Sequence, residues 1–103
     1  MSERFLIRRR LKPESVEAYL RWHQQVPEAL VAEYKKAGVQ EVSCFLCEND
    51  LVVYLEVDPQ MYENAGMGQN PVDMEWQALM AGLNDPEFEQ LAYKEVYRMR
   101  GLE

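Results

Sequence analysis

Residues 14–38 read ESVEAYLRWHQQVPEALVAEYKKAG, and within them Val16, Tyr19, Leu20, His23, Pro27, Leu30 and Tyr34 recur at three- and four-residue spacing. At about 100° per residue these positions fall in one narrow arc, with Glu17, Arg21, Gln24, Glu28 and Lys35 on the opposite side. The pattern predicts an amphipathic helix over residues 14–37. Gly38 supplies its stop, after Lys35 and Lys36, whose charges suit the negative end of the helix dipole. The one histidine of the chain, His23, therefore lies on the core-facing stripe, with Tyr19 one turn before it. Pro27 sits four residues after His23, has no N–H for the His23 carbonyl, and crowds that carbonyl with its ring. The helix must kink there, or restart with Pro27 in its first turn, and either outcome opens space beside the histidine.

Outward from this segment the chain reads as strands and one further helix. Residues 4–11 mix aliphatic, aromatic and long side chains and stop at Lys12-Pro13, a first strand followed by a proline that fits the first helical turn. Residues 39–47 and 51–57 are two more strands, joined through Glu48-Asn49-Asp50 as a hairpin. In the second of these, Leu51, Val53, Leu55 and Val57 share one face. After Asp58-Pro59 come a short helical piece at residues 60–64 and a loop at 66–71. A second amphipathic helix follows over residues 72–83, with Val72, Trp76, Leu79 and Leu83 aligned. Asn84 or Asp85 can cap a last turn beginning at Pro86, and residues 93–100 close the chain as a strand. The order β-α-β-β-α-β is the ferredoxin-like α+β fold. It predicts one domain over residues 1–103, a four-stranded antiparallel sheet with helices on one face. The other face calls for a cover, and a second copy of the chain, forming a dimeric α/β barrel, is the simplest one.

Composition narrows the function classes. The chain has 103 residues and a formal net charge of −7, which argues against nucleic acid and anionic membranes as partners. No stretch approaches the roughly 20 apolar residues of a membrane span, and Arg8, Arg9 and Arg10 interrupt any leader-like run. Two cysteines are too few to staple a secreted mini-domain, so the expected compartment is the cytoplasm.

His23 is the side chain best suited to move a proton in both directions near neutral pH. The competing reading is a core histidine, hydrogen-bonded to a neighbouring carbonyl with no cavity beside it. Trp76 is either core or a flat platform for the apolar face of a sugar, and Trp22, off its stripe, suits an interface. Cys44-Phe45-Leu46-Cys47 matches C-x-x-C, but residues three apart on a strand point to opposite faces, so neither the redox motif nor a zinc site follows. With one histidine and no other cysteine, the expectation is no metal and no cofactor. Glu41, Glu56 and Glu95 lie within strands; Glu56 and Glu95 could partner the histidine, although solvated positions suit each better. The Gly66/Gly68 loop lacks the ending of a phosphate-binding loop.

The pattern Tyr19-x-x-x-His23-x-x-Val26, Gly38 fifteen residues after the histidine, a hairpin, Val72-x-x-x-Trp76 and a closing Glu95-Val96-Tyr97 resembles the L-rhamnose mutarotase family over nearly the whole chain. The resemblance implies a dimeric ferredoxin-like protein that interconverts the α and β anomers of a deoxyhexose without a cofactor. It implies His23 as the proton-transferring residue, with Tyr19 and Trp76 contacting the monosaccharide. Three features depart from the family's pattern. Gln77 replaces the second of two tandem tryptophans, Val42 replaces a strand tyrosine, and Pro27-Glu28 stands one position out of register with a Trp-Pro-Glu run. Two other function classes share the architecture: cofactor-independent monooxygenases of aromatic substrates, for which Val42, Met74, Met80 and Trp76 could line a flat apolar pocket, and non-catalytic binding or assembly modules.

Overall fold

The structure is a computed structural model that describes residues 2–102. The two apolar runs on either side of the hairpin turn pair as expected. β2 (Val39–Cys47) and β3 (Asp50–Val57) are antiparallel, with Cys47 opposite Asp50 and Leu46 opposite Leu51. β1 (Glu3–Arg10) lies antiparallel along the other side of β3, and β4 (Leu91–Lys94) along β1. The sheet order is β2-β3-β1-β4. This is the antiparallel ferredoxin-like arrangement predicted from the element order.

The predicted helix over residues 14–37 is divided. A 3-10 turn (Pro13–Ser15) leads into α1 (Val16–Gln24), and α2 (Glu28–Lys36) follows after Gln25, Val26 and Pro27. Of the two outcomes open to Pro27, the restart occurs, with Pro27 capping α2 rather than inside its first turn. Its φ and ψ are −56° and 133°, and its carbonyl accepts from the Leu30 and Val31 amides at 3.1 and 3.2 Å. Tyr19 and Leu30 are buried as the stripe requires, but Leu20 is 49% exposed. With α1 ending at Gln24, the steps Val16, Tyr19, His23 already define its inward face, and Leu20 falls at the rim.

The second half follows the sequence reading closely until its end. α3 (Pro59–Ala65) starts under the Asp58 carboxylate, which accepts from the Gln60 and Met61 amides, both at 3.1 Å. A 3-10 turn (Met67–Gln69) and the Asn70 cap lead into α4 (Pro71–Ala81). Asp85 then closes the turn at Pro86 by accepting from the Glu87 amide at 2.9 Å. Leu11, Tyr19, Leu51 and Met80 form the core between helices and sheet, with Val16, Leu46, Val53, Trp76 and Leu83 packed around them.

The last strand departs from expectation. Residues 93–100 read as a strand, but β4 spans Leu91–Lys94 only. Lys94 already lies opposite Phe5, so β1 has two residues left to pair with anything beyond it. A strand needs a ladder partner as well as an alternating sequence, and the chain alone does not supply one. Val96 and Tyr97 are consequently 96% and 71% exposed. The sheet face away from the helices carries Leu6, Phe45, Val52, Tyr54, Leu91 and Tyr93 by register, and Phe45, Leu91 and Tyr93 are exposed. On the same face Arg8 and Arg10 both pair with Asp50 and lie over the Phe88 ring, which gives the chain's basic run a structural use. Among the described residues no helix is long and apolar enough to cross a membrane.

Gly38 holds the junction between α2 and β2. Its φ is +83°, its carbonyl accepts from the Asp58 amide at 2.8 Å, and a Cβ there would stand 2.6 Å from Met61 Cβ. Gly38→Ala is expected to cost about 2–4 kcal/mol, combining the left-handed backbone penalty with overpacking. Urea denaturation measures it, and an unchanged midpoint would contradict this tight junction.

Candidate active site

α1 ends one residue after His23, so the imidazole stands at the break rather than inside a continuous helix. Its Nδ1 lies 2.8 Å from the Tyr19 carbonyl oxygen one turn back. A carbonyl only accepts, so this contact places the ring proton on Nδ1 and leaves Nε2 as the basic nitrogen. The Tyr19 ring stacks on the imidazole at 4.1 Å between centroids, and Trp76 from α4 meets it edge-on at 5.3 Å. The three residues singled out in the sequence therefore form one contiguous group.

A cavity of about 390 Å³ opens beside this group, lined on the helix side by His23, Val26, Leu30, Tyr34 and Trp76 and along the β2 edge by Val39 and Val42 among others. Its volume falls within the roughly 300–1,000 Å³ of small-molecule sites. The core reading of His23 called for a bond to a carbonyl and no cavity; the bond is present, and so is the cavity. Tyr19 is 4% exposed and takes no part in the lining, so it backs His23 rather than facing the open space. The β2 edge of the cavity coincides with a register slip between Val39 and Glu41, a bulge of the kind that re-aims side chains near sites. A larger hollow of about 810 Å³ lies under the C-terminal segment, lined mainly by charged residues that include Glu56, Glu95 and Arg98. Glu56 and Glu95 thus lie away from His23, and Glu95 pairs with Arg4. Among the described residues no three His, Cys, Asp or Glu side chains gather closely enough to hold a metal ion.

Cys44 is a member the sequence reading passed over. Both cysteines are free, and the thiol of Cys44 lies close enough to the His23 ring and the Tyr19 hydroxyl to influence the titration of both. That thiol contact is the main influence raising the His23 pKa above its ordinary value; burial opposes it and the Tyr19 carbonyl adds to it. Burial works against ionising Cys44, but the ring and the hydroxyl outweigh it and lower the thiol's pKa. Burial, then Cys44, pushes the Tyr19 phenol far up, so it stays protonated. The signal in the sequence was a strand position three before Cys47, on the face shared with Val42 and Leu46. What hid it was the need to know which strand runs beneath α1.

A buried polar group adjoins the cavity through Tyr34. Its hydroxyl donates to Asp73 Oδ1 at 2.5 Å, and Gln77 Nε2 reaches both the Tyr34 oxygen and Asp73 Oδ1 at 3.3 Å. Tyr34 was legible as a stripe residue, whereas the burial of Asp73, at the start of α4, was not.

Comparison with known proteins identifies the family. The sequence model of the L-rhamnose mutarotase family matches residues 4–100. Among solved structures, an L-rhamnose mutarotase from Formosa agariphila shares 24% identity, covering 94% of this chain and 98% of that one, with a TM-score of 0.73. A putative antibiotic biosynthesis monooxygenase from Bacteroides thetaiotaomicron shares 15% identity, 99% and 94% coverage, and a TM-score of 0.69. The cofactor-independent oxygenase SnoaB from Streptomyces nogalater shares 11% identity, 97% and 98% coverage, and a TM-score of 0.63. At these identities the structural likenesses establish the fold alone, and both enzyme classes anticipated from the architecture are represented. No curated protein matches the sequence. The match of a family model over almost the whole chain decides between them: this protein belongs to the L-rhamnose mutarotase family, isomerases that interconvert the anomers of a sugar.

Proposed function

We propose that the chain catalyses anomer exchange of L-rhamnose or a closely related deoxyhexose, with His23 as the proton-transferring residue. One observation carries the reading: an imidazole whose Nδ1 is fixed on a carbonyl stands in the wall of a cavity sized for a monosaccharide. Nε2 takes the proton from the anomeric hydroxyl while a water molecule beside the sugar gives a proton to the ring oxygen as the C1–O5 bond opens, and the imidazolium returns its proton to the resulting hydroxide. The aldehyde turns about its C1–C2 bond, and the reverse transfers close the ring on the other face. No net proton or electron is consumed. Trp76 offers its indole to the apolar face of the sugar, and Tyr19 orients His23 through its carbonyl and stacked ring.

We further propose that two copies assemble in the cytoplasm as a homodimer. An exposed apolar sheet face and an exposed, strand-like C-terminal segment support the assembly, and two unpaired cysteines support the compartment.

Saturation-transfer NMR on L-rhamnose is expected to show enzyme-dependent α/β exchange that falls by about 10²–10⁴-fold in His23→Ala. An unchanged rate in that variant would remove His23 from the chemistry. Because the base is the unprotonated imidazole, the rate is expected to fall as pH drops through the raised His23 pKa, above the ordinary value of 6.5. Cys44→Ala removes the main influence raising that pKa, so the acidic limb should move to lower pH; a limb that stays in place would refute the thiol contact. Sedimentation equilibrium should give twice the monomer mass, and deletion of residues 96–103 should weaken the dimer. A monomer at micromolar concentration would contradict the proposed assembly.

A further inference from the structure

One cavity-lining residue, Tyr34, carries a hydrogen-bonded hydroxyl that the anomer-exchange mechanism leaves unused. Tyr34 lines the cavity together with His23 and Trp76, and its hydroxyl proton is committed to Asp73 Oδ1 at 2.5 Å. Gln77 Nε2 donates to the Tyr34 oxygen from the other side, at 3.3 Å, and also to Asp73 Oδ1. Asp73 is 8% exposed, and it is held at the start of α4 by its own amide's bond to the Asn70 side chain at 3.3 Å. Burial of Tyr34, followed by the Asp73 carboxylate, pushes its phenol far up, so the hydroxyl keeps its proton and keeps giving it to Asp73.

A tyrosine hydroxyl ordinarily rotates and serves as donor or acceptor. Here its proton is spoken for and one acceptor position is occupied, which leaves the oxygen a lone pair as its remaining hydrogen-bonding capacity. A group presented by a ligand at this point must therefore be a hydrogen-bond donor. The three residues are also coupled to the proton-transfer site, because Asp73 and Gln77 flank Trp76 on α4 within about one turn, and Trp76 touches His23.

We propose that Tyr34, set by Asp73 and Gln77, is a specificity-determining residue that accepts a hydrogen bond from one hydroxyl of the bound sugar. The substrate class is thereby narrowed to aldoses bearing a hydrogen-bond donor at that ring position. The proposal rests on the mutarotase reading above, and its test separates the two.

Anomer exchange would be measured for L-rhamnose and for its 2-, 3- and 4-deoxy analogues, each rate normalised to its rate in buffer. A buried acceptor left unpaired discriminates strongly against a ligand lacking the matching group. The wild-type protein is expected to prefer L-rhamnose over one of the three analogues by about ten-fold or more. Replacing the missing hydroxyl of that analogue with fluorine, which cannot donate, should not restore the rate. Tyr34→Phe should bring the ratio for that one analogue close to unity and leave the ratios for the other two in place. Gln77→Met removes only the longer contacts, so it provides the decisive variant if Tyr34→Phe does not fold, and it should reduce the same ratio part-way. Acceleration of L-rhamnose with no discrimination, or discrimination that both variants retain, would overturn the proposal while leaving the mutarotase reading standing. No acceleration of any sugar by the wild-type protein would overturn both.

Discussion

Pro27 has no amide hydrogen to give to the carbonyl of His23, and much of the site follows from that missing donor. An uninterrupted helix would have carried His23 as one more side chain on a packed stripe. Instead α1 stops at Gln24, α2 restarts at Glu28, and the cavity straddles the gap. Its lining shows this directly: His23 comes from α1, Val26 from the link, and Leu30 and Tyr34 from α2. Interior proline costs a helix about 3 kcal/mol or more. The cost is offset by the restart, in which the Pro27 carbonyl serves the first amides of α2.

The break also explains how one histidine can be both packed and available. On one side its ring is stacked on Tyr19, pinned through Nδ1 and neighboured by the Cys44 thiol. On the other it borders open space with Trp76. Packing fixes the tautomer and direction of the ring, and the cavity gives the remaining nitrogen something to act on. The architecture alone would not distinguish this protein from the oxygenases that share it. What distinguishes it is the match of the L-rhamnose mutarotase family model over residues 4–100.

Most of the fold could be read from local pattern. The stripe through Tyr19, His23 and Leu30, the alternation of Leu51 to Val57, and the cap at Asp85 each record a choice made within a few residues. The failures are of another kind. Residues 93–100 alternate like a strand, yet only Leu91–Lys94 pair, because a ladder depends on the length of β1 and not on the sequence of the last segment. Cys44 and Asp73 were missed for a related reason. One needed the knowledge that β2 runs beneath α1, the other that α2 packs against α4 so that Tyr34 meets a carboxylate. The candidate residues legible in the sequence, His23, Tyr19 and Trp76, are those whose helical spacing and chemistry announce themselves; the polar groups near them come from across the fold.

The central claim is that His23 holds its proton on Nδ1 and works through Nε2. Long-range ¹⁵N–¹H correlation of the His23 ring, recorded above its pKa with and without saturating L-rhamnose, tests it most directly. The account predicts a protonated Nδ1, an unprotonated Nε2, and a shift of the Nε2 resonance on adding the sugar. A ring protonated on Nε2, or an Nε2 resonance indifferent to the sugar, would contradict it.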